Sequence, residues 1–291
     1  MNLPGSVKLV ECPRDAMQGW KTLLTTEQKV AYLNALLQVG FDTLDFGSFV
    51  SARAIPQLSD TASVIPRLDR SDTHLLAIVA NLRGAGEACR WDAIRYIGYP
   101  FSVSETFQQR NTNATIAESE VRLAEICEEC GRHGKELVVY LSMGFGNPYG
   151  DPWSPDIVVE RARHLAAMGI GVISLADTVG LATPDQVYAM TVALIQALPN
   201  TEIGVHLHSR PDGWREKVDA AWQAGCRRFD GALKGIGGCP MADDRLVGNM
   251  NTEWLIAYFR DRGVLPPLNE QALQYCLGLA ASLFTEGEPT D

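Results

Sequence analysis

Two histidines, His206 and His208, flank a single leucine at the end of the β-branched run IGVHLH. Successive side chains of a strand point to opposite faces, so both imidazoles project to the same side. Two imidazoles on one face, joined by a carboxylate from a neighbouring strand, make a three-ligand metal site with open positions. The pattern leaves one alternative open, a pair of buried neutral histidines bonded to the backbone.

Asp15 and Asn249 are candidate oxygen ligands for the same metal, because Asp15 follows the first candidate strand and Asn249 lies beyond the eighth. Together with the histidines they offer two nitrogen and two oxygen ligands, and water would fill the remaining positions. This set suits Mg²⁺ or Mn²⁺ better than a closed structural zinc site, although Zn²⁺ is not excluded by the residue types.

A glycine-rich segment, Lys234-Gly-Ile-Gly-Gly-Cys-Pro-Met, places Cys239 in a loop. Closely spaced glycines allow such a loop to move, and a thiol on it can enter a site when the loop closes. Cys239 is therefore a candidate acid or base. Taken alone, the residue favours a simpler interpretation, a small apolar side chain in a turn.

Eight short runs rich in β-branched residues alternate with longer amphipathic stretches, as in parallel strands joined by helices. The candidate strands begin near residues 7, 42, 75, 94, 137, 172, 203 and 227. The candidate helices span 25–39, 116–133, 155–168, 183–198, 214–224 and 252–262. Eight such units, with no glycine-rich phosphate loop after the first strand, predict a (β/α)8 TIM barrel. We expect one catalytic domain over 1–291, with the barrel at about 7–262 and an extra C-terminal helix at about 268–284, packed on the barrel or on another subunit.

The chemistry of such a barrel lies at the C-terminal ends of its strands, and polar side chains fall at those points in the sequence. Arg14 follows the first strand, Asp45 ends the second, Asn81 the third and Asp177 the sixth. Polar residues at these points can also simply cap the next helix. Their repetition over all the strands favours a shared site.

Acidic residues outnumber basic ones by 35 to 25, so the net charge of −10 argues against nucleic acid or an anionic membrane as a partner. No stretch has the length of a membrane span and the N-terminus lacks a signal pattern, so we expect a cytoplasmic protein. The seven cysteines lack the spacing of a disulfide framework. Cys127 and Cys130 form a CxxC pair inside a helical run, which argues against a redox or zinc role.

Several segments, taken in order, resemble the 3-hydroxy-3-methylglutaryl-CoA (HMG-CoA) lyases of the DRE-TIM metallolyase superfamily. The resemblance covers nearly the whole chain, and the combination is far more specific than any one segment. The matching segments are VKLVECPRDAMQG, FGSFVSARAIPQLSD, VANLRG, SETFQQRNTNATIAES, SLADTVGLATP, VHLHS and GGCPMADDRLVGN.

This resemblance implies a role for each matching residue. Arg14 would be an electrostatic stabiliser, Cys239 a loop thiol implicated in proton transfer, and Asp45 the family's acidic residue. The implied metal ligands are Asp15, His206, His208 and Asn249. The residues implied to line or brace the substrate pocket are Gln18, Lys21, Asn81 and Asp177.

The implied reaction is the divalent-metal-dependent retro-Claisen cleavage of HMG-CoA to acetyl-CoA and acetoacetate, with His206 or Asp45 as the base. The implied partners are a small acyl-CoA substrate and a second copy of the chain in a homodimer. Two alternatives stay open: a related metal-dependent aldolase or synthase acting on another hydroxy acid or hydroxyacyl-CoA, and a metal-binding barrel without catalysis.

The chain departs from the family pattern at four places. Ala16 replaces the usual glycine after the metal-binding aspartate, and Asp45 replaces a longer glutamate. Ser209 and Arg210 stand where an Asp-Thr pair is expected, and the glycine loop is one residue longer. These departures bear on the acyl substrate and on loop closure rather than on the core chemistry.

Overall fold

The computed structural model describes residues 5–238 and 247–285 of the chain. Eight parallel strands close into a barrel in sequence order, and the last strand pairs with the first. The predicted TIM barrel is thereby confirmed. The strands are β1 (Lys8–Glu11), β2 (Thr43–Ser48), β3 (His74–Ile78), β4 (Ile94–Ser102), β5 (Glu136–Ser142), β6 (Val172–Ala176), β7 (Glu202–His206) and β8 (Arg228–Gly231).

The predicted helices are present with ends that shift by at most two residues, and four further helices join them. One of these four, α1, directly follows β1 and carries Arg14 and Asp15. The helices of the described ranges are α1 (Pro13–Gln18), α2 (Thr26–Leu37), α3 (Thr61–Val64), α4 (Leu82–Cys89), α5 (Glu105–Thr112), α6 (Ile116–Arg132), α7 (Pro155–Ala167), α8 (Pro184–Ala197), α9 (Trp214–Gln223), α10 (Thr252–Asp261) and α11 (Glu270–Leu283).

Side-chain caps fix where the main helices begin. Thr25, Thr115 and Thr183 each accept a hydrogen bond from the backbone three residues on, and the Gln or Glu there bonds back to the cap. These capping boxes satisfy backbone groups that a helix start leaves without partners. Ser154 caps α7 ahead of Pro155, as the Ser-Pro pattern predicts.

The apolar core has two parts, as a barrel wrapped by helices requires. A large cluster fills the layer between the strands and the helices, and a smaller one occupies the barrel interior. The interior cluster consists of Leu76, Ile78, Tyr96, Val138, Tyr140 and Val172. Because this interior is packed with side chains, the reactive groups are confined to the end of the barrel.

The C-terminal helix α11 packs against α2 on the outside of the barrel. Phe284, just after α11, meets Trp20 edge-on with ring centroids 5.3 Å apart, and it also contacts Tyr32. The sequence left open whether this helix covers the barrel or another subunit, and the structure shows it on the barrel. Within residues 5–238 and 247–285, every helix is too short or too polar to cross a membrane.

Candidate active site

His206 and His208 lie side by side at the C-terminal end of the barrel, with ring centroids 5.3 Å apart. His206 is the last residue of β7, and His208 continues the extended chain and forms a bridge with Asn249. The Nδ1 atom of His206 is 3.1 Å from Asp230 Oδ2, and that of His208 is 2.9 Å from the carbonyl oxygen of Val247. Each ring therefore has Nε2 left for a further ligand.

Asp15 and Asn249 complete the group on the oxygen side. Asn249 Nδ2 donates to Asp15 Oδ2 at 2.7 Å and to the carbonyl of Ile236 at 3.0 Å. Asn249 Oδ1 is buried and has no hydrogen-bond partner in the described part of the chain. A buried acceptor normally has a hydrogen-bond partner, a water or an ion. Asp15 is bonded to this amide and lines one cavity with both imidazoles, so the donor types suit a divalent cation.

The glycine loop approaches these ligands closely, which explains why one of its positions has no side chain. Gly237 has φ +95°, and a Cβ atom there would lie 2.8 Å from Asn249 Nδ2 and from the Asp15 carbonyl. A side chain would thus strain the backbone and displace Asn249 or Asp15. This glycine therefore allows the loop to approach two of the candidate ligands.

Burial and neighbouring charges shift the pKa values of the candidate ligands. Burial, reinforced by the charge of His206, lowers the pKa of His208 to about 4, so this imidazole is neutral and can bind a metal at neutral pH. Burial alone would raise the pKa of Asp15, but the charge of Arg14 lowers it below its usual value. Burial alone would lower the pKa of His206, but the carboxylate of Asp230 outweighs it and raises that pKa.

Arg14 is almost fully engaged by its neighbours. Its Nη1 donates to Asp15 Oδ1 at 3.0 Å and to Gln18 Oε1 at 2.9 Å, and its Nε and Nη2 bond to Asp45, with Nη2 at 2.6 Å from Oδ2. A guanidinium has five N–H donors in a fixed plane, so one N–H of Nη2 has no partner among the described residues. The planar fork is held in one orientation at the edge of the cavity.

Asp45 lies behind Arg14 and has no solvent exposure. Both of its oxygens accept hydrogen bonds from Arg14. Burial raises the pKa of Asp45, and the charge of Arg14 limits that rise, giving a value of about 6. The carboxylate is therefore ionised at neutral pH and serves as the counter-charge that orients Arg14.

A cavity of about 220 Å³ opens in front of these groups, between the ends of the strands. One side is polar, with Arg14, Asp15, Gln18, His206 and His208. The rest of the lining is mostly apolar and includes Val50, Ala54, Ile55, Ile78, Ala80, Pro100 and Phe107. Charged groups together with apolar side chains suit a small acid with an alkyl branch.

A larger cavity, of about 490 Å³, lies at the other end of the barrel near the start of β1 and β3. It is lined by Lys8, Asp42, Arg70, Asp72 and His74, among others. It contains none of the candidate ligands, and active sites of this fold lie at the C-terminal ends of the strands. Size alone would therefore select the wrong end of the molecule.

The other sequence-predicted positions divide into three groups. Gln18 lines the cavity and Asp177 is buried beside it, where it accepts hydrogen bonds from the backbone of Ala182 and from Lys217. Asn81 caps α4 by accepting from the Gly84 amide, and Lys21 is exposed after α1. Cys239, the predicted loop thiol, lies outside the described residues.

The sequence interpretation missed two buried charged residues that support the histidines. Asp230 on β8 contacts His206, and Lys217 on α9 donates to Asp177 Oδ2 at 2.8 Å and to the carbonyl of His208 at 3.0 Å. Alternation along β8 could have drawn attention to Asp230, which follows Arg228 on the same face. Nothing in the sequence pattern of α9 distinguishes Lys217 from a solvated lysine.

The family of the protein follows from comparison with known sequences. The HMGL-like family profile matches residues 7–277. The chain therefore belongs to the HMGL-like family, whose members are divalent-metal-dependent carbon–carbon lyases. This membership makes the chain an enzyme and removes the alternative of a barrel without catalysis.

Individual relatives carry several substrate names. The chain is 32% identical over 272 residues to an (R)-citramalyl-CoA lyase of Chloroflexus aurantiacus, covering 90% of this chain and 85% of that protein. It is also 32% identical over 264 residues to a cytoplasmic 3-hydroxy-3-methylglutaryl-CoA lyase of Rattus norvegicus, covering 90% and 76%. These relatives are CoA lyases of one class, but the acyl group that they cleave differs from one to another.

Solved structures agree over the full length of the chain. The HMG-CoA lyase of Brucella melitensis superposes with a TM-score of 0.89 at 30% identity, covering 97% of this chain and 99% of that one. The HMG-CoA lyase of Acinetobacter baumannii, in complex with coenzyme A and 3-methylmalate, superposes with a TM-score of 0.90 at 29% identity, covering 100% and 95%.

Proposed function

We propose that the chain cleaves 3-hydroxy-3-methylglutaryl-CoA into acetyl-CoA and acetoacetate by a retro-Claisen reaction. The observation that carries this proposal is the presence of two pairs of candidate ligands at one end of the barrel, Asn249 bonded to Asp15 and His206 beside His208. They lie next to Arg14, which keeps one N–H without a partner among the described residues. The substrate has a tertiary hydroxyl, a carboxylate and a thioester, which match a metal centre and a fixed cation.

The residues that would hold the metal are Asp15, His206, His208 and Asn249. A bound Mg²⁺ or Mn²⁺ would supply Lewis-acid polarisation of the substrate's C3 hydroxyl and orient it. Zn²⁺ fits the same donor types. Two oxygen and two nitrogen donors, with room at the cavity for water or substrate, support the first two ions.

The bond changes determine what the remaining side chains must do. Loss of the C3 hydroxyl proton turns C3 into the ketone of acetoacetate as the C2–C3 bond breaks. The electron pair of that bond passes to the thioester as an enolate, which takes a proton at carbon to give acetyl-CoA. A fixed positive charge beside the enolate oxygen would stabilise this charge, and Arg14 supplies it through its free Nη2 donor.

Asp45 is assigned to orientation rather than to proton removal. Both of its oxygens are bonded to Arg14, and the residue has no exposed surface from which to reach a substrate. Of the two bases that the family resemblance implies, this leaves His206. Its single Nε2 lone pair cannot bind the metal and accept a proton at once, so if His206 holds the metal the C3 hydroxyl proton would pass to water in the cavity. Cys239 remains our proposed donor of the final proton, on the strength of the resemblance alone.

A second candidate substrate is citramalyl-CoA, the name carried by one relative. It has the same tertiary hydroxyl and thioester, and the same bond change would release pyruvate in place of acetoacetate. The cavity of about 220 Å³ and its apolar side chains accept the single methyl branch of either acid. The chemistry at the metal would be unchanged.

The test is product identification by mass spectrometry after incubation of the purified chain with each CoA thioester and Mn²⁺. Acetoacetate with acetyl-CoA from the first substrate, at a kcat/KM well above that for the second, supports the proposal. Faster pyruvate release from citramalyl-CoA would assign the second substrate instead. Condensation of acetyl-CoA with a 2-oxo acid, without cleavage of either thioester, would indicate a synthase.

A further inference from the structure

The carboxylate of Asp230 contacts the ring of His206 at Nδ1. Asp230 belongs to β8 and is 3% exposed. Its Oδ2 is 3.1 Å from His206 Nδ1, and Ser174 Oγ donates to the same oxygen at 3.4 Å. Tyr140 packs edge-on against the ring with centroids 5.7 Å apart. The ring is therefore held from two directions by buried side chains.

An ionised carboxylate can only accept a hydrogen bond, so this contact requires the proton of the imidazole to be on Nδ1. A neutral ring protonated at Nδ1 has its lone pair on Nε2. The same logic applies to His208, because its Nδ1 faces the carbonyl of Val247, which also can only accept. Both rings therefore present Nε2 as the basic nitrogen, but only His206 depends on a side chain for this.

Arg228 is a second buried charged residue on the same face of β8, and its positive charge interacts with that of Asp230. It precedes Asp230 by two residues on β8, so both side chains point into the barrel. Arg228 is 1% exposed, and its three guanidinium nitrogens have no hydrogen-bond partner among the described residues. Asp42 Oδ1 lies 3.6 Å from Nη1. A buried cation near a buried carboxylate reduces the cost of burying either charge.

We propose that Asp230 is a positioning residue that fixes His206 in the Nδ1–H tautomer and so presents Nε2 to the metal. The proposal rests on the metal centre of the proposed function and deepens it, since it extends the centre by one buried residue. Carboxylates that bond to metal-binding histidines in this manner set both ring orientation and ligand basicity.

His206 and Asp230 could instead belong to a different metal site together with Cys12. The ligand atoms of Cys12, His206 and Asp230 lie within 4.8 Å of one another, a spacing that a metal ion could occupy. Such an ion would need the thiolate of Cys12. In the metal-free protein burial and the surrounding carboxylates raise the pKa of that thiol well above its usual value, and its Sγ lies 3.8 Å from the carbonyl oxygen of Val10. Cys12 therefore supplies a matched control.

The first test is the tautomer of His206 in the metal-free wild-type protein, measured by two-dimensional ¹H–¹⁵N NMR on histidine-labelled chain. The chain has five histidines, and a His206→Gln spectrum assigns the signal. We expect the Nδ1–H pattern at alkaline pH, where the ring is neutral. An Nε2–H pattern for His206 would overturn the proposal, and this measurement needs no Asp230 variant to fold.

The second test is Mn²⁺ affinity, measured by titration calorimetry on wild type, Asp230→Asn, Asp230→Ala and Cys12→Ser. Loss of a carboxylate that supports a metal ligand typically weakens metal binding about 10- to 100-fold, and we expect this in both Asp230 variants. Cys12→Ser should bind Mn²⁺ as wild type does. Wild-type affinity in folded Asp230 variants, or an equal loss in Cys12→Ser, would contradict the proposal.

These readouts do not depend on catalysis. If no CoA thioester is cleaved but His206 is Nδ1–H and Asp230→Asn weakens Mn²⁺ binding, the proposed reaction fails and the positioning role stands. If cleavage occurs and the affinities do not change, the reaction stands and the role of Asp230 fails.

Discussion

On each side of the site a buried carboxylate holds a functional side chain, but the two side chains differ in chemistry. On the β1–β2 side, buried Asp45 accepts hydrogen bonds from Arg14, and on the β7–β8 side, buried Asp230 bonds to His206. Arg14 is permanently charged, so Asp45 can fix only its direction. His206 is a ring with two tautomers, so a carboxylate there also decides which nitrogen carries the proton. The comparison teaches that a buried carboxylate can control either orientation or proton position.

The largest effect should follow Arg14→Lys. A lysine retains the charge but cannot form the planar double contact with Asp45 while directing another donor at the substrate. We expect kcat to fall by about 100- to 1000-fold, in keeping with the loss of one preorganised donor, and KM to change little. Steady-state kinetics on HMG-CoA measure both.

A matched control for this variant is Arg67→Lys, which changes an exposed arginine that pairs with Glu27 on the surface. It should leave both constants unchanged. A rise in KM without loss of kcat in Arg14→Lys would show that Arg14 binds the ground state and does not stabilise the transition state.

The next largest effect should follow Asp45→Asn, which keeps the shape of the side chain and removes its charge. Arg14 would lose a bidentate partner, and kcat should fall by about 10- to 100-fold, or about 1.4 to 2.7 kcal/mol in the barrier. Because the pKa of Asp45 is about 6, wild-type kcat should decline as pH falls through 6 and the carboxylate gains a proton. If Asp45→Asn has the same acidic decline, another group is responsible.

A smaller effect on activity should follow Lys217→Met on the β7–β8 side. Lys217 joins Asp177 to the carbonyl of His208, so its removal leaves a buried carboxylate without its cation. We expect a loss of about 3 to 5 kcal/mol in unfolding free energy and a several-fold decrease in kcat. Denaturant unfolding measures the first quantity.

The double variant Lys217→Met with Asp177→Asn tests that explanation directly. It should recover part of the lost stability, because the amide carries no unpaired charge. If the double variant is as unstable as Lys217→Met, the cost comes from packing of the lysine stem.

The smallest effect on activity should follow Glu11→Gln. Glu11 is fully buried on β1 and accepts from the Leu233 amide and from Thr252, so it holds backbone and not a reactive group. Burial raises its pKa from 4.5 to about 8. A raised carboxyl pKa gives stability that is complete below 4.5 and is lost as pH rises through about 8, on the order of a few kcal/mol. The melting temperature of wild type should fall between pH 5 and 8.5, and that of Glu11→Gln should not show this fall. Parallel profiles of the two proteins would contradict the prediction.

The sequence was sufficient to predict the architecture because local patterns determine it. Eight β-branched runs, the capping boxes at Thr115 and Thr183 and the pattern His206-Leu207-His208 depend on neighbours only a few residues away. The placement of polar side chains at strand ends also follows from the fold class alone. The sequence therefore also places the candidate ligands at one end of the barrel.

The supporting residues could not be predicted, because they depend on the register between distant elements. Asp230 meets His206 only through the pairing of β7 with β8, and Lys217 reaches Asp177 only because α9 docks in one orientation. Asn81 illustrates the converse, since a polar residue at a strand end here accepts from Gly84 as a helix cap. Sequence position showed where polar groups lie but not which of them contact each other.

The most direct test of the central claim is acetyl-CoA release from HMG-CoA after chelator treatment, before and after Mn²⁺ is returned, in wild type, His208→Ala and His164→Ala. His164 is on the outer helix α7 with its side chain 52% exposed, so it controls for loss of a histidine. We predict that the chelator abolishes release, and that Mn²⁺ restores it in wild type and His164→Ala but not in His208→Ala. Release that survives the chelator, or that Mn²⁺ restores equally in His208→Ala, would contradict the account.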